Sequence, residues 1–207
     1  MRRNDTGATA ATIRQFSPSG QTMKQTLLAT ALACAATLAQ AAGFTLSSPD
    51  IKAGGMIAKS FEFNGFGCAG DNKSPALKWS GAPKAAKAFS VTVYDPDAPT
   101  GSGWWHWMVI NIPADVSELA ANAGAVGGAN LPAGASQARI DYGVAGWGGV
   151  CPPAGDKPHR YIFTVHALKD KLEVPADATA ALTGFMINGN SLGKASFTAK
   201  YGRPKAK

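Results

Sequence analysis

Two short stretches hold most of the side chains equipped to donate protons, accept them or bind an ion. In Tyr94-Asp95-Pro96-Asp97-Ala98-Pro99-Thr100-Gly101-Ser102-Gly103-Trp104-Trp105-His106-Trp107, two carboxylates sit among prolines and are followed by a Gly-rich turn, aromatics and an imidazole. In Gly148-Gly149-Val150-Cys151-Pro152-Pro153-Ala154-Gly155-Asp156-Lys157-Pro158-His159-Arg160-Tyr161, a second imidazole follows a rigid diproline. A neutral imidazole donates one N–H, and a protonated one donates two and carries charge. A neighbouring carboxylate such as Asp95 fixes the tautomer or favours the charged ring. If the two stretches meet, Asp95, His106 and His159 border one polar pocket. Pro153 would give it an apolar wall that is cheap to order. Asp97 is expected to bond the backbone of its own turn, and Arg160 to pair with a carboxylate nearby.

Two other chemistries compete for these residues. Two histidines with Asp95 and Asp97 could make a two-His-carboxylate metal site serving a hydrolase. However, no His-x-x-x-His or Glu-x-x-His spacing occurs, and prolines crowd both acids. Cys68 or Cys151 could act as a nucleophile beside His159, unless the two are joined. No metal and no cofactor are expected. His166, inside an apolar run without an acid beside it, reads as a filling residue. The tryptophans 104, 105, 107 and 147 read as core and rim. Asn72-Lys73-Ser74 matches a glycosylation acceptor.

The elements that must hold these residues are mainly strands. Ala88-flanked Phe89–Tyr94 is β-prone, with Phe89, Val91 and Val93 on one face and Ser90, Thr92 and Tyr94 on the other. Trp105–Ile112 is apolar on both faces, as in a central strand covered on both sides. Tyr161–Leu168 is a third core strand. Phe44–Ser47, Phe61-Glu62-Phe63, Leu77–Ser80 and the alternating Ala195, Phe197, Ala199 and Tyr201 complete the set. Gly65–Pro75 reads as a loop, as does the Gly/Ala/Asn-rich stretch 120–136. One helix is expected, capped by Asp177, with Ala178, Ala181, Leu182, Phe185 and Met186 at helical spacing and an end near Asn188-Gly189-Asn190. The connections are too short for helical crossovers, so the sheet should be mostly antiparallel.

The start of the chain reads as an address. Residues 1–22 are polar and unperiodic, so they are expected to be disordered or an over-long start before Met23. Residues 23–41 carry Lys24, an apolar Leu27–Leu38 and Ala39-Gln40-Ala41, the layout of a signal peptide too short to span a bilayer. Cys34, with Ala31 three residues before it, does not fit a lipoprotein signal. A single domain, 42–207, would remain, in the periplasm or secreted, with no transmembrane segment. Losing Arg2, Arg3, Arg14, Lys24 and Asp5 lowers the net charge from +7 to +4. No Lys/Arg run survives, which excludes a nucleic-acid stripe. Cys68 and Cys151 are then the two remaining cysteines in an oxidising compartment, and a disulfide between them is expected.

Tyr-Asp-Pro-Asp-Ala-Pro at 94–99, Trp-His-Trp at 105–107 and Pro-Pro-x-Gly-x-x-Pro-His-Arg-Tyr at 152–161 resemble the phosphatidylethanolamine-binding protein family. Gly-Asp-Asn-x-Ser-Pro at 70–75 and Gly-Lys-Ala at 193–195 resemble its bacterial branch, and the likeness runs from Phe44 to Arg203. The resemblance implies a large central antiparallel sheet packed on a smaller one, with a few peripheral helices. It implies a pocket for a small anion or phospholipid headgroup built from Asp95, His106, Pro153, His159 and Tyr161, with Trp104 at the rim. It also implies binding or inhibition of a protein partner, such as a protease or kinase, in place of catalysis. An extracytoplasmic address argues against a cytosolic kinase. The chain departs from the eukaryotic pattern in having no long helical sequence after Tyr201.

Overall fold

A computed structural model describes residues 43–205. The expected signal peptide at 23–41, its cleavage near Ala41 and the 1–22 segment lie outside the described residues. In chain order the strands are β1 (Thr45–Ser47), β2 (Asn64–Gly65), β3 (Cys68–Ala69), β4 (Leu77–Ser80), β5 (Ala88–Asp95), β6 (Trp104–Pro113), β7 (Glu118–Leu119), β8 (Ser136–Gln137) and β9 (His159–Leu168). A helix, α1 (Ala180–Asn190), precedes the last strand, β10 (Ser191–Tyr201).

Five strands form the main sheet in the order β10-β9-β5-β6-β8, and every pairing in it is antiparallel. A smaller sheet, β1-β4-β7, packs on one face. Between them lies the main core, where Leu46, Trp79 and Leu119 of the small sheet meet Phe89, Val91, Val93, Phe163, Val165 and Phe197. The opposite face of the large sheet is also buried, with Met108, Ile110 and Leu168 covered by Leu172 and by Ala180 and Ile187 of α1. This double cover explains why β6 is apolar on both faces. The middle strand of the sheet, however, is β5, and β6 is next to the two-residue edge strand β8. No helix among the described residues is long and apolar enough to cross a membrane.

Three local expectations are corrected. Residues Lys59–Phe61 form a 3-10 turn, and Glu62 makes only a single bridge to Val150, so Phe61-Glu62-Phe63 is not a strand. The alternation there has a different cause. Glu62 is the inward residue, its carboxylate accepting from the Ala69 amide at 2.9 Å and from the Tyr201 hydroxyl. A buried carboxylate needs such donors, and their cost is met by tying three segments together. Gly65–Pro75 is not wholly loop, because β2 and β3 pair across Phe66-Gly67. Finally, α1 is capped by Thr179, whose Oγ1 accepts from the Leu182 amide at 3.1 Å, and not by Asp177. Starting two residues later turns a different face inward. Ala180, Thr183, Gly184 and Ile187 are buried, whereas Leu182 and Phe185 are exposed.

Candidate functional site

The β5–β6 connection and the segment leading into β9 do meet. A cavity of about 170 Å³ is lined by Asp95, Trp104, His106, Pro153 and His159, together with Phe66, Ala98, Pro99, Thr100, Tyr142, Cys151 and Pro152. Five of the six residues expected in a pocket thus border one space. Tyr161 does not. It is wholly buried behind the cavity, its ring edge-on to His106 at 5.1 Å between centroids. Its hydroxyl has no hydrogen-bond partner, and burial first, then Asp95, raises its pKa above the usual phenol range.

Asp95 ends β5 and is 2 % exposed. One carboxylate oxygen accepts from the Asp97 amide at 2.8 Å, closing the turn, and the other lies 2.8 Å from His159 Nδ1. The turn-closing role expected of Asp97 therefore belongs to Asp95. Asp97 instead accepts from the Arg160 amide, Nε and Nη2 at 2.8–2.9 Å. That fork holds the Asp97 carboxyl at about 2, with the Arg160 side-chain hydrogen bonds as the main cause. It pins the 95–103 connection to the first residues of β9, so Asp97→Asn is expected to leave the fold intact while amide exchange rises at Asp97, Thr100 and Arg160. Unchanged exchange at those amides would contradict this.

His106 is placed by an irregularity. Along β5 and β6 the register runs Val93 opposite Trp107, then Tyr94 opposite Trp105, which leaves His106 as the extra residue of a bulge. Bulges re-aim a side chain without ending the strand. Its Nδ1 lies 2.7 Å from the Gly148 carbonyl and 3.1 Å from that of Gly149. Carbonyls only accept, so Nδ1 carries the proton. The Gly148-Gly149 pair is required by close approach. A Cβ on Gly148 would fall 2.2 Å from the Tyr142 ring, and one on Gly149 2.3 Å from the Phe63 amide nitrogen. Burial pushes the His106 pKa down to about 4, only partly offset by the two carbonyls and Asp95, so the ring is neutral near pH 7.

His159, 3 % exposed, has Nδ1 on Asp95 and Nε2 at 3.7 Å from Asp156 on the exposed side. The carboxylate Asp95 thus orients His159, and His106 is oriented by backbone alone. The third histidine, His166, is buried on the far face of the sheet, with Nε2 at 3.5 Å from Thr92 Oγ1, and does not line this cavity.

Three contributors were not singled out beforehand. Tyr142 donates to the Gly149 carbonyl at 2.9 Å and packs against Phe63, Phe66, Trp104 and His106, making the aromatic floor of the site. Phe66, 75 % exposed, stacks on Tyr142 at the rim from a left-handed backbone, φ 51°. Asn72 accepts from the Gly149 amide at 2.8 Å and donates to the Trp147 carbonyl at 3.3 Å, fixing the strip that holds His106. An Asn inside a run of turn formers was the available signal for Asn72. A lone tyrosine at 142 and a phenylalanine in a Gly-rich loop gave none.

Cys68 and Cys151 are joined by a disulfide, which ties β3 to the Val150–Pro153 wall and leaves neither residue a thiol. Arg203 reinforces this wall by donating to the carbonyls of Pro152, at 3.3 Å, and Gly67. Among the described residues no three His, Cys, Asp or Glu side chains are grouped as metal ligands.

The profile of the phosphatidylethanolamine-binding protein family matches residues 47–202. The UPF0098 protein YbcL of Escherichia coli is 53 % identical over 180 residues, covering 86 % of this chain and 98 % of that protein. The UPF0098 protein YbhB of the same organism is 47 % identical over 157 residues, covering 75 % and 98 %. The crystal structure of YbcL, described as a new member of the mammalian PEBP family, superposes with a TM-score of 0.76 over 80 % of this chain and all of that one. A PEBP homologue from Chlamydia trachomatis, CT736, superposes with a TM-score of 0.64 at 30 % identity, over 78 % and 98 %.

Proposed function

Because the chain belongs to the phosphatidylethanolamine-binding protein family, we propose that the Asp95–His106–His159 cavity binds one small phosphoryl anion, free or as a headgroup. The observation that carries this reading is the convergence of two buried imidazoles, each fixed through Nδ1, on one small cavity. Fixing both Nδ1 atoms leaves both Nε2 atoms for a ligand. The volume supports a small group, since sites for drug-sized molecules run to roughly 300–1,000 Å³. Trp104, Pro153 and Tyr142 give the cavity apolar walls, beside which hydrogen bonds are stronger than in open water. The family relationship supports binding over catalysis, and binding is the function we assign. The Leu27–Leu38 and Ala39-Gln40-Ala41 layout supports export, with a mature chain starting near Ala42. N-terminal mass analysis of exported protein checks that start.

Site variants test the pocket. A charge-assisted hydrogen bond contributes about 1.5–3 kcal/mol, so His159→Ala is expected to weaken inorganic phosphate binding about ten-fold or more. His166→Ala, on the other face of the sheet, should leave it unchanged. Equal affinities for the wild type and His159→Ala would remove the site from this cavity.

A further inference from the structure

Resting on that reading, we infer that His106 makes the pocket select a phosphoryl group that still carries a proton, with the ligand P–OH donating to His106 Nε2. The argument is one of donor and acceptor count. His106 Nδ1 is committed as a donor to the carbonyls of Gly148 and Gly149, so the neutral ring presents only a lone pair at Nε2. His159 Nδ1 is committed to Asp95, so its Nε2 is a donor only when that ring is an imidazolium. Tyr142 spends its hydroxyl on the Gly149 carbonyl, and Thr100 spends its own on the Gly103 carbonyl. Trp104, also at the cavity, has an indole N–H with no partner, a donor that does not satisfy a lone pair. The two imidazoles therefore offer an oxyanion one conditional donor and one obligatory acceptor.

An anion with no proton would set an oxygen lone pair against His106 Nε2, an unmade hydrogen bond on both partners. A protonated phosphoryl group satisfies both rings, accepting from His159 and donating to His106. The charged surroundings agree. Asp95, behind His159, and Asp156, near its Nε2, are carboxylates that disfavour a second negative charge, and Tyr142 and Tyr161 contribute no positive one. The cations nearest this wall are occupied elsewhere, Arg160 on Asp97 and Arg203 on backbone carbonyls. Making His106 cationic to replace the missing donor is opposed by its burial.

A phosphomonoester loses its second proton with a pKa of about 6, whereas sulfate and a phosphodiester have no proton to give at that pH. The ligand class is therefore a phosphomonoester or free phosphate, which narrows the reading above to a headgroup freed from its lipid, since a lipid-linked headgroup is a diester. The experiment is calorimetric titration of the exported, disulfide-bonded protein with inorganic phosphate, methyl phosphate, dimethyl phosphate and sulfate, at pH 5.5 and 8.0. We expect phosphate and methyl phosphate to bind at pH 5.5 and to weaken at least ten-fold at pH 8.0. Sulfate and dimethyl phosphate should bind at least ten-fold more weakly than methyl phosphate at pH 5.5. Phosphate without methyl phosphate would restrict the ligand to the free ion and still support proton selection. Sulfate or dimethyl phosphate binding as tightly as methyl phosphate at pH 5.5 would overturn the inference while leaving anion binding intact. Failure of all four to bind would overturn both. His106→Gln adds a donor amide in place of the lone pair and should shift preference towards sulfate. An unchanged preference in a folded variant would also count against His106.

Discussion

Full reduction of the Cys68–Cys151 disulfide is expected to lower the melting temperature by roughly 10–15 °C, more than any other single change considered for this chain. The bond closes a sequence separation of 83 residues. The chain-entropy model gives about 4–5 kcal/mol for a loop of that length, and at about 2–4 °C per kcal/mol for a domain of this size the shift follows. The native-state consequence is local. Cys151 belongs to the cavity wall and Cys68 to β3, next to the β2–β3 turn that holds Phe66 at the rim, so losing the bond frees the wall from its anchor. Glu62, with the Ala69 amide and the Tyr201 hydroxyl, still holds β3 near β10. The reduced protein should therefore fold, melt earlier and bind phosphate more weakly. Thermal denaturation with and without reductant, with thiol titration to confirm reduction, checks this. A melting temperature unmoved by complete reduction would show that the native wall is held by packing alone.

Acidification should have an effect of comparable size, summed over two histidines buried as neutral rings. Burial lowers both His106 and His166 from 6.5 to about 4, and Lys194 adds to the effect at His166. Between these values the unfolded chain binds a proton that the folded ring refuses, so stability rises with pH across the window. It is fully present above about pH 6.5 and is lost as pH falls towards 4. Each ring should contribute about 2–3 kcal/mol to the loss by pH 4.5. Asp97 acts lower still, its contribution lost as pH falls from 3.8 through about 2. Denaturant midpoints at pH 7.0 and 4.5 measure the sum. His166→Gln should remove close to half of the difference without touching the cavity. A midpoint constant from pH 7.0 to 4.5 would mean that the rings accept protons in the folded state.

Much of the fold was legible because the strands that matter are long and bury one or both faces. Val91, Val93, Phe163, Val165 and Phe197 announce themselves by alternation and by β-branched or aromatic type, and all lie in the main core. Helix α1 was legible in existence but not in phase. Its inward face is built from Ala180, Thr183, Gly184 and Ile187, of which only Ile187 carries a strong hydrophobic signal, while Leu182 and Phe185 point outward. Gly184 is inward because Trp105 packs there, with 3.1 Å from the ring to where a Cβ would stand. That is a tertiary reason, invisible in a periodicity.

The site shows the same division. Asp95, His106 and His159 stood out by residue type beside turn formers, and the structure brings them together. Which imidazole the carboxylate would meet did not follow from sequence. The bulge at His106 turns that ring to the Gly148 and Gly149 carbonyls, and only long-range pairing creates a bulge. Asp95 keeps the imidazole expected of it and also takes the turn-closing role expected of Asp97, for a related reason. Both sit in similar proline-flanked settings, and the alignment of β5 with β9 decides which of them meets Arg160. Tyr161 lies on the expected face but deeper, against His106. It follows His159 and Arg160 in the strand, and in β9 His159 and Tyr161 are both buried, yet only His159 reaches the cavity.

The most direct measurement is an imidazole NMR titration of the protein with inorganic phosphate at pH 5.5. Binding at Nε2 of both pocket rings predicts that the His106 and His159 resonances move together with one saturation curve, while His166, across the sheet, stays fixed. Unmoved His106 and His159 signals at saturating phosphate would contradict an anion site in this cavity.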